Sequence, residues 1–312
     1  MVTTLVRDNE DLIEPFLEYY LRLGVDRIVL LDNGSRDATI PRALRYDPAT
    51  VLRCTLPFDR YEPEMKRFLI ERYGDGCWSL VVDVDEFFDY PGSDELTFSQ
   101  FLGYLDQRRY TAVVGTLLDM FADGPPENWP PLGRDSIRAC VWYDLSGFYP
   151  GRYDWLKRLN RFADPAMLLW EGGIRWQVLG RRTLVNKFPL IKYRRGGGLR
   201  LRSLEHHAEG AEVADVSVLL RHYKFDRDFL KRWRAAAESG RHAVHVKDHQ
   251  AAARWLEENP YPVLRGPTAR RLVHINQLVA EGFLRASPAY WDYVRACRAG
   301  KSGAGDQSRR TV

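Results

Sequence analysis

No stretch of this 312-residue chain approaches roughly 18 consecutive apolar residues, so nothing in the sequence has the length of a membrane-spanning helix. Cysteine is scarce. The four present, Cys54, Cys77, Cys140 and Cys297, lie far apart and include no Cys-x-x-Cys pair. That spacing argues against a zinc site or a disulfide scaffold and for reduced, mostly buried thiols in a cytoplasm. Met1 leads directly into Val-Thr-Thr-Leu-Val, without the basic start, apolar stretch and small-residue cleavage site of a secretory signal, which again predicts a cytoplasmic location. Neither sign of charge dominates: 46 Lys and Arg against 42 Asp and Glu leave a net charge of +4. No nucleic-acid partner is expected from so mild a balance. Internal repeats are absent, and no linker is long enough to mark a domain boundary.

What remains is the composition of an ordinary globular enzyme, 45% hydrophobic and 28% charged, with ample length for a sizeable core. The first half alternates strand and helix signals. A short β-branched run at Val2–Val6 precedes Leu12, Ile13, Phe16, Leu17, Tyr20 and Leu21, which recur at helical spacing between Asn9 or Asp11 as caps and Gly24 as the stop. A second strand is predicted over 27–31, ending at Asp32-Asn-Gly-Ser-Arg-Asp37, whose Asn-Gly is a turn signal. A helix over 39–45, a weak strand over 50–53, a helix over 64–73 and a strand at Leu80-Val-Val82 follow. This βαβαβαβ order predicts a mostly parallel sheet flanked by helices. Beyond it, 96–105 reads as a helix and 111–118 as an apolar strand. The middle third is aromatic-rich with short strands and loops. From Phe229 onwards the chain reads as helical, notably over 248–258 and 269–281, and the Gly- and Ser-rich last dozen residues read as a disordered tail.

The run Trp78-Ser-Leu-Val-Val-Asp83-Val-Asp85-Glu86-Phe-Phe carries the most chemistry. A buried strand ends there in two carboxylates one residue apart. Alternate residues on an extended chain point the same way, so Asp83 and Asp85 are expected to present oxygens on one side. Mg²⁺ or Mn²⁺ takes such ligands and keeps room for phosphate oxygens, and the C-terminal end of a strand in an open α/β sheet is where a nucleotide is expected. The competing reading is a capped strand end on the surface.

Val6-Arg-Asp-Asn-Glu10, then Leu23-Gly-Val-Asp-Arg-Ile-Val-Leu-Leu-Asp32-Asn-Gly-Ser-Arg-Asp37-Ala-Thr, then Val82-Asp83-Val-Asp85-Glu86-Phe occur in that order with compact spacing. Together they resemble family 2 glycosyltransferases, in the branch with Asp-Asn-Gly-Ser in place of the commoner Asp-Asp-Gly-Ser. The likeness continues through Leu118-Asp-Met-Phe121, Gly172-Gly-Ile-Arg175, Lys187-Phe-Pro-Leu190 and Leu220-Arg-His222-Tyr-Lys-Phe225. The resemblance implies a GT-A-like domain over 1–225, followed by a helical segment over 226–300 and a tail over 301–312. It also implies a nucleoside-diphosphate-sugar donor, a divalent cation (Mn²⁺ or Mg²⁺), and transfer, expected with inversion, to an unidentified glycan, lipid-linked sugar or small-metabolite acceptor. Asp83 matches the first family aspartate, near ribose and metal, and Asp85 the second, a direct metal ligand.

Other residues keep two readings. Asp32 can accept hydrogen bonds from a base or ribose, or close an Asx turn, as can Asp37. Arg7 and Glu10 follow the first strand and belong to the expected donor site. His222, with His206 and His207 as rivals, can complete a carboxylate metal site or be structural. Arg175, Lys187 and Lys224 can hold diphosphate oxygens or pair with acidic neighbours. Asp119 and Glu171 are the candidates for the general base, while Glu86 stands closer to the metal and orients it. The basic stretch over 192–202 is a solvated loop, or hints at an anionic acceptor or contact with the inner face of a membrane. Two further functions compete. A sugar nucleotidyltransferase would show a Gly-rich basic loop after its first strand, where this chain has Arg7-Asp-Asn-Glu10. A non-catalytic basic binding protein for glycans or anionic polymers would release no nucleoside diphosphate.

Overall fold

The structure, a computed structural model, describes residues 1–174, 176, 182, 184–203, 207–229, 231, 254–255, 257–259 and 264–307. It is a mixed α/β protein with a large, mostly parallel central sheet flanked by helices. The opening elements follow the order legible in the sequence: β1 (Val2–Val6), α1 (Glu10–Leu23), β2 (Ile28–Asp32), α2 (Thr39–Ala43), β3 (Ala49–Arg53), α3 (Phe58–Tyr73) and β4 (Trp78–Val81). β5 (Glu86–Asp89), α4 (Phe98–Gln107) and β6 (Ala112–Asp119) come next. The strands are ordered β3-β2-β1-β4, then Asn186–Lys192, then β6. β1 runs parallel to β2 and β4, and β2 parallel to β3. Asn186–Lys192 lies antiparallel between β4 and β6.

Every residue of β1, β2, β4 and β6 is buried, as expected of strands covered by helices on both faces. α1 buries Leu12, Ile13, Phe16, Leu17 and Tyr20 and stops at Gly24, whose φ of 100° is the left-handed cap a side chain would resist. At Gly115 in β6, an added Cβ would sit 2.6 Å from Pro189 Cγ, so a bare backbone is what lets the proline-bearing strand pack there.

The C-terminal part differs from expectation. Arg270–Arg271 is a short strand paired with Trp142–Tyr143, and the helix expected over 269–281 is confined to Asn276–Ala280. Arg270 and Arg271 satisfy their backbone across a strand partner, a tertiary pairing that local propensity does not reveal. A longer helix, Pro288–Gln307, overlaps the tail expected from 301, while 308–312 lie outside the described residues. Of the helix expected over 248–258, only 254–255 and 257–258 are described, and these are helical. Tyr290 and Val294 join the main core with Phe101 and Tyr104, and Leu278, Phe283 and Leu284 join a second cluster with Phe87 and Phe121. Among the described residues, no helix is long and apolar enough to cross a membrane.

Candidate metal and nucleotide site

The strand Val218–His222 builds the site. It runs parallel to β6 and antiparallel to β5, and its register sets His222 opposite Asp119 on one side and Glu86 on the other. Directly paired residues share a face, so Glu86, His222 and Asp119 stand in a row across three strands. His222 Nδ1 meets Asp119 Oδ1, and His222 Nε2 lies 3.2 Å from Asp85 Oδ2. Asp85, Glu86 and His222 bring one ligand atom each to within 4.8 Å of one another.

Asp83 and Asp85 take different partners. β4 ends at Val81, and the chain turns at once, with the Glu86 backbone N–H donating to the Asp83 carbonyl at 3.0 Å. The turn sends the two carboxylates to different partners. Asp83 accepts from Lys66 Nζ at 2.9 Å and from Lys187 Nζ at 3.1 Å, whereas Asp85 faces His222. Lys187 also donates to Glu86 Oε1 at 2.6 Å, and Glu86 Oε2 accepts the Asp83 backbone N–H at 3.1 Å. Lys66 and Lys187 are 5% and 4% exposed, so these charges are stable there only as a compensated group.

Electrostatics separate the three acids. Burial alone would raise Asp83, but Lys187 and Lys66 outweigh it and hold the carboxyl well below its ordinary value. Burial likewise raises Asp85, and His222 with Lys224 more than offsets it, leaving that carboxyl lowered. Glu86 is raised, because burial outweighs the attraction of Lys187. Asp85 is thus an ionised carboxylate beside an imidazole.

This donor set fits a divalent cation. A carboxylate and an imidazole, with Glu86 beside them, suit Mn²⁺ or Mg²⁺-type coordination, and a carboxylate on the far ring nitrogen is what orients a ligating histidine. Both Glu86 oxygens already have partners, which leaves Asp85 and His222 as the nearer candidate ligands.

The remaining predicted residues fall into three groups. Asp32, Asp37 and Glu10 form a backbone-binding network: Ser35 N–H donates to Asp32 at 2.8 Å, Glu10 and Thr39 N–H donate to Asp37 at 3.0 and 2.9 Å, and Ala38 N–H donates to Glu10 at 3.1 Å. Asp37 and Glu10 join the loop after β1 to the loop after β2, while Asp32 closes its own turn onto Ser35, the turn role weighed for Asp32 and Asp37. Arg7 in that loop is exposed, its Nε 3.9 Å from Asp8. Glu171 lies in Trp170–Gly172, accepting from Tyr153 Oη at 3.3 Å and lying 3.6 Å from Arg182. Arg175, His206 and the His207 side chain lie outside the described residues. Lys66 was not singled out from the sequence, although a signal existed. It interrupts the apolar stripe of Met65, Leu69 and Ile70 on the buried face of α3, where a lysine needs a partner.

No protein-family model matches the chain, and no curated protein matches it. Among solved structures, it is similar to HddC from Yersinia pseudotuberculosis, with a TM-score of 0.26 and 16% identity over 39% of this chain and 59% of that one. It is also similar to a UDP-glucose pyrophosphorylase from Acinetobacter baumannii, with a TM-score of 0.21 and 8% identity over 42% of this chain and 62% of that one. The chain spans less than two thirds of the length of either, and likeness at this level transfers neither protein's activity.

Proposed function

We propose that the protein is a glycosyltransferase that moves a sugar from a nucleoside-diphosphate sugar to a hydroxyl acceptor, with Mn²⁺ or Mg²⁺ as cofactor. The observation that carries the reading is the meeting of Asp85 and His222 just beyond the C-terminal end of β4, where an open parallel sheet presents its ligand crevice. Asp85 and His222 would hold the cation, which would supply positive charge against the departing diphosphate. The chain's own residues prepare that place. Asp119 holds the His222 ring, and Lys66 and Lys187 fix Asp83, whose side chain is 40% exposed and can still receive a ribose hydroxyl. Lys224 adds positive charge beside Asp85. Asp119 is buried and engaged with His222, so it acts as a positioning residue and not as the base that deprotonates the acceptor.

The test is a panel of UDP- and GDP-sugars, scored by thermal shift with and without Mn²⁺ and by release of nucleoside diphosphate. A metal-dependent rise in Tm with one donor, followed by slow release of its nucleotide, is expected, because a ligand of the folded state raises apparent stability. A protein unmoved by every nucleotide sugar at millimolar concentration would remove the basis of the reading.

A further inference from the structure

The central sheet is open along β3. That strand pairs with β2 and ends the sheet order, and among the described residues no strand lies on its other side. The ladder fixes which backbone groups face outwards. Ile28 N–H donates to the Pro48 carbonyl at 2.9 Å, and Cys54 N–H donates to the Asp32 carbonyl at 2.8 Å. Alternate residues of a parallel strand bond to the same neighbour, so Thr50 and Leu52 also serve β2. The N–H and C=O groups of Val51 and Arg53 therefore point away from the sheet, as does the Ala49 carbonyl. Ala49 N–H is already used, donating to the Tyr46 carbonyl at 2.9 Å.

Sheet edges are ordinarily blunted by proline, lysine, a bulge or a covering segment, because a bare row of donors and acceptors attracts another strand. β3 reads Ala-Thr-Val-Leu-Arg, without proline or lysine, and its register with β2 runs unbroken from Ala49 to Arg53. Apolar surface gathers at the same edge. Leu44, Leu56, Phe58, Tyr61 and Phe68 are exposed, and they come from the segments that flank β3 in the chain. Among the described residues, Leu159 and Val273 are the large apolar side chains exposed elsewhere. Tyr61 and Phe68 stand four and three residues from Met65 and so share its flank of α3. Met65 packs with Val29 and Leu31 in the cluster that Leu52 of β3 borders, which puts this aromatic ledge on the β3 side of the helix.

The charges identify the partner strand. Asp47 precedes β3 and Arg53 ends it, both are exposed, and neither has an ion pair or a side-chain hydrogen bond among the described residues. An antiparallel copy of β3 complements both. With the pairing centred on Val51, the two Val51 residues exchange both hydrogen bonds, and each Arg53 N–H meets the Ala49 carbonyl of the other copy. Arg53 then stands diagonal to the second copy's Asp47, two residues beyond Ala49, at both ends of the seam. The two-fold axis is normal to the sheet, so each face keeps its side and the two aromatic ledges face each other across the seam.

We propose that the protein forms a two-fold dimer by antiparallel pairing of β3 with β3 of a second copy, which joins the two sheets into one. The dimer does not depend on the transferase reading. The test is sedimentation velocity on the full chain over a concentration series reaching the submillimolar range, with Arg53→Asp and Asp47→Arg beside the wild type. Both positions are exposed, so the variants should keep the wild-type circular dichroism. The wild type should show a reversible monomer–dimer equilibrium. Either single variant sets like charges against each other at both ends of the seam and should weaken dimerisation about tenfold. Mixed in equal amounts, the two variants should associate with one another as tightly as the wild type does with itself, because opposite charges then meet again at both ends. A wild type that stays monomeric throughout overturns the proposal and leaves the edge to solvent or to a different partner. A dimer that neither variant weakens, or no restoration on mixing, overturns it as well.

Discussion

His222 Nε2 lies 3.2 Å from Asp85 Oδ2, joining the end of the strand Val218–His222 to the turn that follows β4. The contact exists because Val218–His222 inserts between β5 and β6, with Asp119 holding the opposite ring nitrogen. Two buried strands and one half-exposed turn therefore meet at a single imidazole.

Asp85→Asn preserves shape and removes the charge that an ionised, His222-paired carboxylate contributes. The variant should fold as the wild type does, by circular dichroism and urea midpoint. Its Mn²⁺-dependent thermal shift with a nucleotide sugar should vanish. Retention of a full, chelator-sensitive shift would exclude Asp85 as a metal ligand.

Asp119→Asn tests positioning without touching the expected metal ligands. Carboxylates that orient ligating histidines typically account for about 10–100-fold in metal affinity, and a loss of that order is expected. Mn²⁺ affinity read by electron paramagnetic resonance measures it directly, independent of turnover. A purely structural Asp119 would lower the urea midpoint and leave the Mn²⁺ affinity of the folded protein unchanged.

Lys187→Met should destabilise the fold by about 3–5 kcal/mol, the cost of stripping a buried carboxylate of its partner. Glu86, 1% exposed, is left without the ammonium at 2.6 Å. Lys66 still serves Asp83. The double variant Glu86→Gln, Lys187→Met should recover much of the loss in urea unfolding, since a neutral amide at that position no longer needs a counter-charge.

Glu18 and Arg134 form a two-point ion pair, with both guanidinium contacts at 2.7 Å, tying α1 to the helix Arg134–Ala139. The hydrogen bond from Arg134 holds the Glu18 carboxyl below its ordinary value. A depressed carboxyl stabilises the fold above its unfolded pKa, and that contribution disappears as pH falls through the folded one. Glu18→Gln should therefore cost about 0.2–1 kcal/mol at neutral pH, less in high salt because the pair is partly exposed. The difference from wild type should shrink below about pH 4, near the ordinary glutamate pKa. A gap that persists into acid would assign the effect to packing instead.

The early strands were legible because each is a short run of β-branched or apolar residues bounded by turn residues, and α1 because its apolar positions recur at helical spacing up to Gly24. Asp85 and His222 were legible as chemistry at the ends of such runs. The pairing of Asp83 was not. The partners of Asp83, Lys66 and Lys187, come from α3 and from the strand Asn186–Lys192, so nothing local to the Asp-x-Asp run announces them. Glu86, expected only to orient a metal, has both oxygens occupied by Lys187 and the Asp83 backbone.

The sequence by itself determined the alternation of strands and helices, and with it a parallel sheet whose strand ends carry acids, because apolar periodicity is a local property of the chain. Tertiary structure alone decided which acid meets which base. Lys66 comes from α3, Lys187 from the strand between β4 and β6, and His222 from the strand between β5 and β6. Their encounters with Asp83, Glu86, Asp85 and Asp119 depend on strand register, which long-range pairing sets and local sequence does not encode.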